Sequence, residues 1–187
     1  KENGSYLSSY PSNFFTEWVK RDRDAAFAFY DENLYEKDYS LPFNEYPDLI
    51  EGYVEDAPID ESAPWLVDVL NAGDLKREEY QAVIKMLAKQ EMGGIGFTEK
   101  LLQASPDPIA LKAEMVTESF GWSDREDRFK KALKGFDSFE QYLEGAERAI
   151  RSDSPAYRYR DSALIKQMEN LQRPQAEINH IKSVFEQ

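Results

Sequence analysis

Glu177 and His180 stand three residues apart, a spacing that puts a carboxylate and an imidazole on one face of a helix. Carboxylate-bridged di-iron bundles use this pair as ligands, but each centre needs a second copy. His180 is the sole histidine of the 187 residues, and there is no cysteine. The second pair cannot be built, and thiolate ligands and nucleophiles are excluded with it. His180 is expected to be an ordinary surface histidine near the end of the last helix, and no metal or cofactor is expected.

The other chemical candidates fail on context. Gly93-Gly94-Ile95-Gly96 has the glycine content of a phosphate-cradling loop, but no Lys-Ser/Thr pair follows and no strand precedes it. It reads as a helix terminator before Phe97. The acidic clusters do not spell a twelve-residue calcium loop. No Gly-x-Ser-x-Gly elbow is present for a serine hydrolase. Carboxylates at Glu78/Glu79, Asp124/Glu126/Asp127 and Glu140/Glu144 have types suited to glycoside hydrolysis, yet Lys76, Arg77, Arg125 and Arg128 are interleaved with them. That is the pattern of a solvated helix face. No catalytic residue is assigned.

The chemistry that stands out is charge. From Asp31 to Trp65 there are eleven acidic residues and one Lys, set between aromatic rings. Residues 1–73 carry 5 Lys/Arg against 16 Asp/Glu, a net of 5 − 16 = −11, whereas the remainder carries 18 against 20, a net of −2. A charge this localised makes a directional field that attracts basic partners and repels nucleic acid, whose phosphates need clustered Lys and Arg. Aromatic rings anchor an interface at little entropic cost, and carboxylates around them steer association. The expected partner-binding residues are Tyr35, Glu36, Asp38, Tyr39, Glu45, Tyr46, Asp48, Glu51, Tyr53, Glu55 and Asp56.

The function expected from this pattern is an acidic helical protein-binding module, an inhibitor or immunity-like protein that engages a basic protein. The alternatives are a general helical scaffold or adaptor and, behind it, a carboxylate- or metal-dependent enzyme. The opposing physical reading of Asp31–Trp65 is that its acids are solvated and its rings plug an irregular segment onto the core.

The elements that must position these residues read as helices. Val and Ile never form an alternating run of strand length, whereas apolar residues recur at three and four positions between Gly, Pro, Ser and Asp stops. The fold class expected is all-α, an irregular stack of antiparallel helical hairpins with a loop-rich acidic segment near residues 31–64. Residues 1–11 read as a flexible N-terminal segment and 12–187 as a single helical domain. Faint echoes at Val19, Gln103 and Asn170 begin 84 and 67 positions apart, which is no fixed repeat period.

Helices are expected over 12–21, from Asp22 or Asp24 to about Tyr30, over 47–54 as a short piece, from a Ser62 cap to Gly73, over 74–92, 97–104, 108–120, 124–133, 138–151, 155–171 and 174–185. Leu70, Val83, Ile84, Leu87, Leu101, Met115, Leu133, Leu143, Ile150 and Leu164 are the expected core. No apolar run approaches the roughly 20 residues that span a bilayer. The first residue is Lys1 and not Met, so a longer precursor is expected. The compartment is left open, cytoplasmic by default, with a periplasmic or lipoprotein origin as the alternative.

Overall fold

The computed structural model describes residues 14–32, 45–89, 96–118, 133–157 and 161–186. They form ten helices: α1 (Phe14–Arg21), α2 (Arg23–Tyr30), α3 (Glu45–Asp56), α4 (Ile59–Ala72), α5 (Arg77–Lys89), α6 (Phe97–Ala104), α7 (Pro108–Glu118), α8 (Phe139–Arg151), α9 (Asp161–Asn170) and α10 (Gln175–Phe185). There is no strand among the described residues, so the protein is all-α. No described helix is long and apolar enough to cross a membrane.

Several boundaries follow from local chemistry that the sequence displays. Asp22 caps α2, accepting the Ala25 amide proton at 3.1 Å, and Ser138 caps α8 through the Gln141 amide at 3.2 Å. Gly73 ends α4 in the left-handed conformation with φ 78. Other boundaries move. Ser62 is not the cap of α4: the helix starts at Ile59, three residues earlier, and the buried Ser62 hydroxyl donates back to the Pro58 carbonyl at 3.1 Å. Pro64 is consequently inside the helix, in the second turn, where it forgoes the amide that would donate to the Asp60 carbonyl.

Asp74 does not begin α5. The helix starts at Arg77, and Glu79 reaches back to the Lys76 amide at 2.8 Å, the carboxylate half of a capping box. The expected helix over 155–171 is shorter, because Pro155, Ala156 and Tyr157 form a turn in which the Ser154 hydroxyl accepts the Ala156 amide at 3.2 Å. In the acidic segment α3 runs from Glu45 to Asp56, longer at both ends than the expected piece over 47–54. Of the expected helix over 124–133, residues 124–132 lie outside the described residues.

Alternate helices carry much of the packing: α1 lies against α3, α4 against α6 and α5 against α7, while α7 and α8 form the most extensive pair. Two glycines explain how close two of these pairs come. A Cβ on Gly52 of α3 would lie 2.4 Å from Val19 Cγ1 and 2.6 Å from the Thr16 carbonyl oxygen of α1. A Cβ on Gly145 of α8 would lie 2.5 Å from the Ile109 carbonyl oxygen of α7. Backbones approach this closely only where one residue has no side chain.

The main core gathers Val83, Ile84, Leu87, Leu101 and Leu164 with Phe97, Tyr142 and Tyr157. Of the expected core, Leu70, Leu133, Leu143 and Ile150 are half-buried and pack around its rim. A polar knot ties α7 into it. Thr117 Oγ1 is 2.8 Å from the Tyr157 hydroxyl oxygen and 3.3 Å from that of Tyr142, and it donates to the Ala113 carbonyl at 2.9 Å. Burial pushes the Tyr142 phenol up to about 12 and that of Tyr157 well above its ordinary value, so both stay neutral and available as hydrogen-bonding groups. A second, smaller cluster joins α1, α2 and α3 through Phe15, Val19, Ala26, Tyr30 and Leu49.

Candidate functional site

Within the acidic aromatic segment, α3 is anchored on that second cluster. Tyr35, Glu36, Asp38 and Tyr39 lie outside the described residues, and so does the side chain of Glu45. The remaining expected residues belong to α3, and the helix sorts them by face. Tyr46 is half-buried, its ring centroid 4.8 Å from that of Tyr30 and 5.9 Å from that of Phe27. Asp48 is half-buried, and its carbonyl accepts from Thr16 Oγ1 at 3.3 Å. Burial, followed by the neighbouring charge of Glu51, pushes the Asp48 carboxyl up to about 6. These residues serve packing.

Tyr53 lies on the boundary. It is half-buried, meets Trp65 of α4 edge-on at 4.4 Å, and carries the Arg23 guanidinium 5.3 Å from its ring centroid. A tyrosine face that holds one guanidinium is chemically suited to another cation. Beyond it the chain turns from α3 into α4 and exposes Glu55, Asp56, Asp60 and Glu61 within seven positions, with Asp68 exposed two turns on. Lys20 pairs with Glu55 at 3.0 Å and Lys100 with Asp60 at 2.8 Å. Both pairs are solvent-exposed and compensate the acids weakly. Asp60, Glu61 and Trp65 are the members of this face that the expected set omitted. The sequence signal for them was the placement of Pro58, which starts α4 beside the end of α3.

A second feature is a cleft of about 550 Å³ where α4, α5, α7 and α8 meet the turns at 105–107 and 152–155. Its most unusual residue is Glu114, which is only 5% exposed. Tyr80 donates its hydroxyl proton to Glu114 Oε2 at 2.6 Å, and the Ser154 hydroxyl is a second hydrogen-bond partner. Desolvation raises the Glu114 carboxyl to about 7; the two hydroxyls oppose that shift, and the charges of Glu118 and Asp107 add to it. Burial and the adjacent carboxylate also drive the Tyr80 phenol far up, so it remains a donor. At the cleft's edge Asp107 caps the start of α7 through the Ala110 amide at 3.1 Å and lies 3.5 Å from Arg148, which also pairs with Glu144. Nothing in the spacing of α7 marked Glu114 as internal, because its partner Tyr80 comes from a helix thirty-four positions away.

The Glu177 and His180 pair is divided. Glu177 binds Arg173 at 2.9 Å, while His180 Nε2 is 2.9 Å from Glu147 Oε2 on α8. Among the described residues no three potential metal ligands gather at one place. The His180 to Glu147 contact is a surface pair, so His180→Ala is expected to leave binding unchanged and to cost less than about 1 kcal/mol of stability. Chemical denaturation and any binding assay on the variant check this. Loss of a purified activity in a folded His180→Ala protein would restore the metal reading.

The chain matches no family model, no curated protein and no solved structure.

Proposed function

We propose that the protein is an acidic helical binding module, inhibitor-like in type, that engages a basic protein through the junction of α3 and α4. The observation that carries this reading is the juxtaposition at that junction of the half-exposed Tyr53 and Trp65 rings with the exposed carboxylates of Glu55, Asp56, Asp60 and Glu61. The rings supply rigid apolar anchors, and the carboxylates supply a field that the local excess of −11 over residues 1–73 extends. Asp48 and Tyr46 contribute by holding α3 in place, and Tyr35, Glu36, Asp38 and Tyr39 belong to the same proposed surface by sequence. The Arg23 guanidinium over Tyr53 is an internal example of the contact that a partner's Arg or Lys would make.

The test is affinity capture from the source cells with the wild-type chain and with a triple variant, Asp56→Lys, Asp60→Lys and Glu61→Lys. A basic protein is expected to be retained by the wild type at low salt, to elute as ionic strength rises, and to be missed by the variant. Retention of the same proteins by both chains would overturn the reading. Within the same surface, Tyr53→Ala is expected to speed dissociation at least about tenfold with little change in association, as truncation of a central anchor does. Surface plasmon resonance on the captured partner measures both rates.

A further inference from the structure

The cleft around Glu114 has a charge pattern separate from that of the acidic face. Its lining carries three carboxyl groups, on Asp107, Glu114 and Asp153, and two guanidinium groups, on Arg77 and Arg148. Counted over the lining alone these charges cancel while Glu114 keeps its proton, and Glu144, which also pairs with Arg148, and Glu118, whose charge acts on Glu114, add to the negative side. Ionised, Glu114 adds one negative charge where its direct partners are the neutral hydroxyls of Tyr80 and Ser154. A buried carboxylate supported only by hydroxyls is costly, and the cost is relieved by a cation that arrives with its own desolvated charge.

The shape of the site narrows the cation. Tyr80 occupies Oε2 at 2.6 Å, so both oxygens are not available to the parallel fork of a guanidinium. An ammonium makes single-point contacts and fits the remaining lone pairs. A divalent metal ion requires several oxygen ligands, and no such group assembles among the described residues. Leu70, Leu75 and Leu111 line the same cleft and suit an alkyl stem, and about 550 Å³ is the size of a small-molecule site.

We infer that this cleft binds a small alkylammonium ion, with Glu114 as its counter-ion and the leucine-lined wall against its alkyl chain. Binding is an exchange of one cation for another. The neutral carboxyl gives up its proton to the buffer, and the carboxylate that remains takes the ammonium, so the ligand keeps all its protons and total charge is conserved.

Isothermal titration calorimetry of the full chain with 1,5-diaminopentane, in two buffers of different ionisation enthalpy at pH 6, tests this directly. The expected result is saturable binding of one diamine per chain with release of close to one proton. Pentan-1-ol in place of the diamine is expected not to bind. Glu114→Gln, which keeps the shape of the side chain, is expected to weaken the diamine at least tenfold and to abolish proton release. Asp60→Asn with Glu61→Gln removes charge from the distant acidic face and is expected to leave the titration unchanged. Equal weakening by that double variant, binding without proton release, or unaltered binding in a folded Glu114→Gln protein would each overturn the assignment.

Discussion

Gly145→Ala is expected to lower stability by about 2–3 kcal/mol, against the sign that helix propensity alone would give. In the middle of an exposed helix, replacing Gly by Ala gains roughly 1 kcal/mol. At Gly145 the added carbon would meet the Ile109 carbonyl oxygen at 2.5 Å, Ile109 Cγ2 at 2.9 Å and the Ala113 Cβ at 3.0 Å. The nearest of these is backbone of α7 and cannot rotate away, so the α7 and α8 pair must separate and loosen the packing around Tyr142 and Thr117. Gly73→Ala is the control: it has φ 78 and open space around it, so only the left-handed backbone resists, at a cost of about 1 kcal/mol. Urea unfolding of both variants decides between sterics and propensity. A Gly145→Ala protein as stable as the wild type would mean that α7 and α8 are farther apart than described.

Glu114→Gln is expected to stabilise the protein at pH 8 relative to pH 4.5. The folded-state pKa of Glu114 is raised from 4.5 to about 7, so between those values the folded chain holds a proton that the unfolded chain has released. Stability therefore falls as pH rises through this window and is level above it. The shift from 4.5 to about 7 corresponds to a loss of about 3 kcal/mol. Glutamine cannot ionise and escapes this loss while keeping an oxygen for the Tyr80 hydroxyl. The difference in unfolding free energy between variant and wild type is expected to move in favour of the variant by up to about 3 kcal/mol from pH 4.5 to pH 8. Asp48 titrates in the same direction in both proteins and cancels in that difference. A pH-independent difference would show that Glu114 is solvated and ionised in the fold.

Where a residue's effect is local, the sequence was a good guide. Ser138 and Asp22 cap the helices they precede, Gly73 ends one, and Phe97 to Ala104 has its expected limits. The start of α4 was misread because Pro58 and Pro64 are both compatible with a first turn, and the burial of Ser62 favours the earlier one. Glu114 and Glu118 resemble a solvated pair on α7, yet Ala110, Leu111 and Ala113 to Glu118 are all buried, because α5, α6 and α8 all pack against α7. That is a property of packing order and is not encoded in helical spacing. Gly52 and Gly145 carried a readable signal, since glycine inside a helix is costly without a close approach to justify it. In the acidic segment the rings and charges were legible, but which of them are covered depends on the docking of α3 on α1 and α2: Tyr46 packs on Tyr30 and Phe27 of α2 and Asp48 is half-buried, whereas Glu55 and Asp56 stay exposed, with Glu55 paired to Lys20 of α1.

The proposed binding role rests on charge acting at the α3 and α4 junction, and the dependence of association rate on ionic strength reads that term alone. Stopped-flow association of the captured basic partner should be measured from low to physiological salt, with the wild type and with the Asp56, Asp60 and Glu61 to Lys variant. The wild-type rate is expected to fall steeply with salt, and the variant rate to be at least about tenfold slower at low salt with a much flatter dependence. Superimposable salt dependences for the two folded proteins would contradict it and place the binding surface elsewhere on the chain.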